Sequence, residues 1–164
     1  MVTNTENSLA IILMGSASDR PHVDKIVTEL DILGITSVQR IASAHKTPQR
    51  LLEILAEYEA DQSPKVYITV AGLSNALSGM VDGNVTAPVI ACPPYSASYG
   101  GGDIYSSLRM PSGVAPLVVL EPTNAALAAA KILAVGNPNL TERVKSYQQT
   151  YRERLVDADE TLME

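Results

Sequence analysis

A chain of 164 residues with 46% apolar and 18% charged side chains is long enough to bury one ordinary core and too apolar to stay disordered. Its formal charge of −6 supplies no basic surface for nucleic acid or an anionic membrane, so any phosphate must be held by local donors. The single cysteine, Cys92, excludes an internal disulfide, and the absence of Phe and Trp leaves a mainly aliphatic core with seven tyrosines.

Met1 to Ser8 is polar and has no basic segment leading into a long apolar stretch. No signal peptide is expected there, and a cytoplasmic protein is expected as a whole. Leu9 to Met14 is a short unbroken apolar run, which suits a strand buried on both faces. Gly15 ends it. Ser18 or Asp19 can cap the following helix, in which Val23, Ile26, Val27, Leu30 and Leu33 recur at helical spacing until Gly34. A second strand is read from Ser37 to Ser43. Thr47 can cap the next helix with Pro48 at its first position, and Leu51, Ile54, Leu55 and Tyr58 share one face.

Lys65 to Ala71 reads as the third strand and runs into the small-residue turn Gly72-Leu-Ser-Asn-Ala-Leu-Ser-Gly79. A helical stretch to about Asn84 precedes a fourth strand, Pro88 to Cys92. Pro93 to Gly102 reads as a loop able to cover a site. Asp103 can cap a short helix through Arg109, which Met110-Pro-Ser-Gly113 breaks, and Leu117 to Leu120 is a fifth strand. The Ala-rich helix Thr123 to Val135 has almost no polar face, which suggests burial against other subunits as well as its own sheet. From Leu140, the stripe Val144, Tyr147, Tyr151 and Leu155 marks a last helix. Strand and helix alternate on short connections, which predicts a single α/β domain over 1–164 with a parallel sheet and the strand C-terminal ends along one edge.

Two turns at that edge carry chemistry. Gly15-Ser-Ala-Ser-Asp19 lacks both the lysine of a Walker A loop and the spacing of a dinucleotide fingerprint. It is either a capped turn or a phosphate and ribose contact, with Ser16 and Ser18 as donors and Asp19 as acceptor. Ser43-Ala-His-Lys-Thr-Pro48 places an imidazole and an ammonium at a helix N-terminus: either His45 is a structural histidine and Lys46 a solvated charge, or the two suit acid–base chemistry on a phosphorylated small molecule, the reading that the turn favours. His22, in a helix without a polar cluster, reads as a surface residue. Cys92 reads as core, and Arg109 as an anion clamp or a subunit contact. No His, Cys or carboxylate pair falls at a metal-ligand spacing, so no metal is expected.

Together with Ala71-Gly-Leu-Ser-Asn-Ala-Leu-Ser-Gly79, these turns resemble the phosphoribosylaminoimidazole carboxylase family over nearly the whole chain. The family contains mutases, which move a carboxyl from N5 to C4 of aminoimidazole ribonucleotide, and carboxylases, which add CO2 directly to C4. Mutases typically carry a Gly-Gly-Ala-Ala-His-Leu-Pro-Gly type of turn after the third strand. Here that stretch has no histidine and is similar to the carboxylase class, as are Ala91-Cys-Pro-Pro94, Asp103 to Gly113, and Lys46 where mutases usually have arginine. One departure is Leu73, where carboxylases often have arginine.

The resemblance implies a three-layer, flavodoxin-like fold of about five parallel strands with an extra C-terminal helix, about 139–160, packed on a neighbouring subunit of a tetramer or octamer. It implies His45 as the catalytic group and substrate contacts at Gly15, Ser16, Ser18, Asp19, Ser43, Ala44, Lys46, Gly72, Ser74 and Asn75. The implied partners are aminoimidazole ribonucleotide and CO2, with no cofactor, ATP, biotin or metal. Three other readings stay open on the residues: the mutase reaction on the same scaffold, a flavodoxin-like flavin- or nucleotide-binding protein with Tyr95 and Tyr99 stacking on a ring, and a catalytically silent subunit.

Overall fold

In the computed structural model the described residues are 8–163. Met1–Asn7, where no leader is expected, and Glu164 lie outside them. The apolar run Leu9–Met14 forms β1, and from Ala10 to Met14 no residue is more than 1% exposed. A strand so fully covered must be central, and β1 pairs in parallel with both β2 (Thr36–Ile41) and β3 (Lys65–Val70). β3 continues to β4 (Val89–Ala91), and β4 to the short edge strand β5 (Leu117–Val118). The sheet order is β2-β1-β3-β4-β5, all parallel.

Alternate residues of the sheet feed two cores. On one face Ala10, Ile12, Met14, Val66, Ile68 and Val70 pack against α1 (Arg20–Ile32), α5 (Pro122–Leu133) and the first turns of α6 (Pro138–Met163). On the other, Ile11, Leu13, Tyr67 and Val89 meet α2 (Pro48–Glu59) and α3 (Ala76–Asp82). These are the three layers of a flavodoxin-like protein. The four alanines Ala125, Ala126, Ala129 and Ala130 of α5 are fully buried within the chain, because their small side chains let α5 approach α1 and β3 closely. Among the described residues no helix is long and apolar enough to cross a membrane.

Several boundaries differ from expectation for local reasons. The second strand stops at Ile41 rather than Ser43, whose N–H is taken by the Thr47 hydroxyl at 2.9 Å. Thr47 therefore stands at the N-cap of α2, ahead of Pro48, without a side-chain cap bond: its hydroxyl also returns to the Ser43 carbonyl at 3.3 Å. Upstream, Ser16 rather than Ser18 or Asp19 makes the side-chain cap. Ser16 caps a 3-10 turn over Ala17–Asp19, and the Asp19 carboxylate closes the box on the Ser16 N–H at 2.9 Å. Asp103 does not cap the short helix α4 (Tyr105–Leu108), which follows a 3-10 segment, Ser98–Ile104, with Tyr99, Gly100 and Gly101 at positive φ. The fifth strand ends two residues early, where the Leu120 carbonyl accepts from the Cys92 thiol at 3.6 Å.

The last helix is longer than expected, 26 residues or roughly 39 Å at 1.5 Å per residue. Asn137 caps it through the Leu140 N–H at 3.1 Å. Its buried residues are Leu140 and Val144, and from Gln149 to Met163 every residue is exposed.

Candidate active site

In a sheet of order 2-1-3-4-5 the connections after β1 and β3 leave in opposite directions, opening a crevice at their C-terminal ends. The turns that line it are those after β1, β2 and β3. Gly15 starts the first, and its N–H donates to the Val70 carbonyl at 2.9 Å. A Cβ on Gly15 would stand 3.2 Å from that of Ala71, so any larger residue would have to push the two turns apart by a few tenths of an ångström.

The crevice is a cleft of about 470 Å³. Gly15, Ser16, Ser18 and Asp19 form one wall, and Ser43, Ala44, His45 and Lys46 the facing one. Ala71, Gly72, Leu73 and Ser74 make the floor, with Leu77 behind them. Ten of the eleven residues expected at the site thus meet in one place. The exception is Asn75, only 3% exposed, whose side chain is used within the fold. Its Oδ1 caps α3 by accepting from the Ser78 N–H at 3.2 Å, and its Nδ2 donates to Ser107 Oγ at 2.9 Å. The Asn-x-x-Ser spacing before a helix was the available signal for a cap. Ala71 and Leu77, missing from the expected set, are apolar residues whose position beside Gly72 was their only mark.

Hydrogen bonding inside the two walls leaves protons facing the cleft. Ser16 Oγ accepts from the Ser18 hydroxyl at 2.9 Å and the Ser18 N–H at 3.3 Å, so its own proton is left to donate. Ser43 Oγ likewise accepts, from the Lys46 N–H at 3.2 Å. Neither the His45 ring nor the Lys46 ammonium has a hydrogen-bond partner among the described residues, and both side chains are exposed. Asp19 differs: burial raises its carboxyl pKa, opposed by the Ser16 N–H and by His22. The cleft therefore offers hydroxyl donors, one cation, one imidazole and one carboxylate around a small apolar floor, an arrangement suited to an anionic, hydroxyl-bearing ligand.

A second cavity of about 370 Å³ adjoins the first and shares Ala71, Gly72 and Leu73 with it. His22 and Lys25 line it on one side, and Pro93, Pro94 and Tyr95 on another. His22 is not the surface residue expected. It is half-buried, with Nε2 3.3 Å from Cys92 Sγ. Burial lowers its pKa, and the like charge of Lys25 adds to that, against smaller opposing effects of Cys92, Asp19 and Glu121. Cys92 is fully buried, and burial pushes its thiol up to about 12. Arg109 is exposed and lines neither cavity.

Sheet order and cleft define a flavodoxin-like α/β protein with a cleft at the β1/β3 switch point. The sequence pattern of the family described as AIR carboxylase matches residues 9–154. The chain is 53% identical over 154 residues to a phosphoribosylaminoimidazole carboxylase of Treponema denticola, covering 94% of this chain and 97% of that one. It is 54% identical over 157 residues to one of Archaeoglobus fulgidus, covering 96% and 86%. The crystal structure of Treponema denticola PurE superposes with a TM-score of 0.94 at 52% identity, over 96% of this chain and 99% of that one. The chain belongs to the AIR carboxylase family of enzymes.

Proposed function

We propose that this enzyme acts in purine biosynthesis by adding CO2 to C4 of 5-aminoimidazole ribonucleotide, giving 4-carboxy-5-aminoimidazole ribonucleotide. The observation that carries this reading is the cleft floor: Ala71 to Ser74 bring no titratable side chain, and His45 is the one imidazole lining the cleft among the described residues. A mutase-type turn would bring a histidine to the stretch after β3.

In this reading the Ser16 and Ser43 hydroxyls and the Lys46 ammonium hold the ribose phosphate, the Ser18 hydroxyl supports Ser16 by donating to it, and Asp19, with Gly15 beside it and Ala44 on the facing wall, accepts from the sugar. The aminoimidazole is an enamine, so C4 is nucleophilic without a cofactor, and the enzyme has to hold CO2 against it. The C4–C bond forms from the ring's electron pair as a carbon–oxygen π pair moves onto oxygen. The backbone N–H groups at Gly72 and Ser74, residues that line the cleft, are the donors this reading assigns to the carboxylate that develops. C4 is then tetrahedral and still carries its hydrogen. Neutral His45 takes that proton, and the C–H pair restores the aromatic ring.

We further infer a homo-oligomer, since the outer half of α6 presents Leu155 and Leu162 at 74% and 85% exposure, and the family resemblance implies a tetramer or octamer. The test of the reaction offers purified protein either aminoimidazole ribonucleotide with bicarbonate or the N5-carboxy compound. C4-carboxylated product is expected from the first. Product from the second alone would assign the chain to the mutases.

A further inference from the structure

We propose that Ser106, which lines no part of the cleft containing His45, is a positioning residue for the reaction because its hydroxyl fixes the shape of the cleft floor. The inference rests on the carboxylation reading above. The floor is the five-residue link between β3, ending at Val70, and α3, starting at Ala76. Within it Leu73 has a φ of 58°, a left-handed conformation that a leucine rarely adopts and that reverts unless something holds it.

What holds it is one oxygen. Ser106 Oγ accepts from the Asn75 N–H at 3.0 Å and shares its proton between the carbonyls of Asp103 at 2.7 Å and Leu73 at 3.2 Å. The same hydroxyl thus grips the backbone on both sides of Ser74. The neighbouring Ser107 adds the buried bond to the Asn75 amide at 2.9 Å. Without the Ser106 hydroxyl, Leu73 is free to relax to negative φ. The peptide planes around Ser74 then turn, and the N–H groups aimed at the developing carboxylate lose their direction. The walls at Ser16, Ser43 and Lys46 make no bond to Ser106, so ribonucleotide binding is left alone.

The test compares S106A and S106T with the unaltered protein. S106A is expected to lower kcat about tenfold, as misaimed donors do, while the Kd for aminoimidazole ribonucleotide stays within about twofold; S106T, which keeps the hydroxyl, restores kcat to within about threefold. Amide exchange at Asn75 in the ligand-free protein should quicken about tenfold in S106A, with β3 amides unchanged. A glycine takes positive φ without a clamp, so the kcat loss from S106A should shrink to under about threefold when measured in an L73G background. An equal loss in both backgrounds, a Kd that weakens in step with kcat, or unaltered Asn75 exchange would overturn the proposal. If S106A folds poorly, S106T and the comparison of S106A/L73G with L73G alone decide the matter in its place. If the unaltered protein does not carboxylate aminoimidazole ribonucleotide, the reading of the reaction fails and the catalytic role of Ser106 with it, whereas faster Asn75 exchange would still establish the clamp.

Discussion

The chain has two histidines, and the fold gives them opposite surroundings. His45 stands exposed on the wall of the cleft, with no hydrogen-bond partner among the described residues. His22 sits one helical turn past Asp19, half-buried in the adjoining cavity with its ring nitrogen on the Cys92 sulfur. Both follow a strand-to-helix turn at the same sheet edge. The difference is that the turn after β2 keeps its bonds within Ser43, Lys46 and Thr47, leaving the imidazole outside, whereas α1 lays His22 beside the end of β4. A group that exchanges protons with a ligand needs the first setting. One that supports the fold is found in the second.

The sharpest way to break this contrast is to remove each imidazole and ask which property fails. H45N should lower turnover by roughly 10²–10⁴-fold, the usual contribution of a positioned general base, with ligand affinity and thermal midpoint close to those of the unaltered protein. Steady-state rates beside calorimetric titration of aminoimidazole ribonucleotide would show it, and near-normal turnover would take His45 out of the reaction. K46A comes next. Losing one charge-assisted contact to the phosphate should weaken ribonucleotide binding by roughly 10–100-fold, since such bonds contribute about 1.5–3 kcal/mol. Equal affinity in both proteins would place the phosphate elsewhere in the cleft.

Much of this arrangement was legible in the sequence because it follows from patterns that act locally. The unbroken run from Leu9 to Met14 could only be a covered strand, and the alternation of strand and helix then sent the turns at Gly15, Ser43 and Gly72 to one edge. What could not be read depends on pairings distant in the chain. The Cys92 sulfur, seventy residues downstream, is what turns His22 inward. Asn75 was expected as a ligand contact; its amide bonds Ser107, 32 residues away, and the residue lines the adjoining cavity rather than the cleft. The left-handed backbone at Leu73 has no sequence signature, because leucine ordinarily avoids it. Glycine at that position would have announced the turn. Strand ends moved for a similar reason: the apolar stretch to Leu120 promised a longer β5, but the ladder stops where the Leu120 carbonyl meets the Cys92 thiol.

The smallest expected effect concerns stability, and it tests His22 without reference to the reaction. Burial, aided by Lys25, lowers the His22 pKa below its ordinary 6.5. The folded protein therefore binds this proton less readily than the unfolded chain. The stability associated with the neutral ring is fully present above about pH 6.5 and declines as the pH falls through the lower, folded value. H22Q removes the titration while keeping a side chain able to reach Cys92 Sγ, and its loss at pH 7.5 should be about 1 kcal/mol or less, that of one neutral hydrogen bond. Urea midpoints measured from pH 7.5 down to 5 should show the unaltered protein losing stability relative to H22Q, with turnover in both unchanged at pH 7.5. Parallel midpoints across that range would mean that the ring titrates alike in folded and unfolded chains. In that case burial would not hold the His22 ring neutral, and the two histidines would differ in place alone.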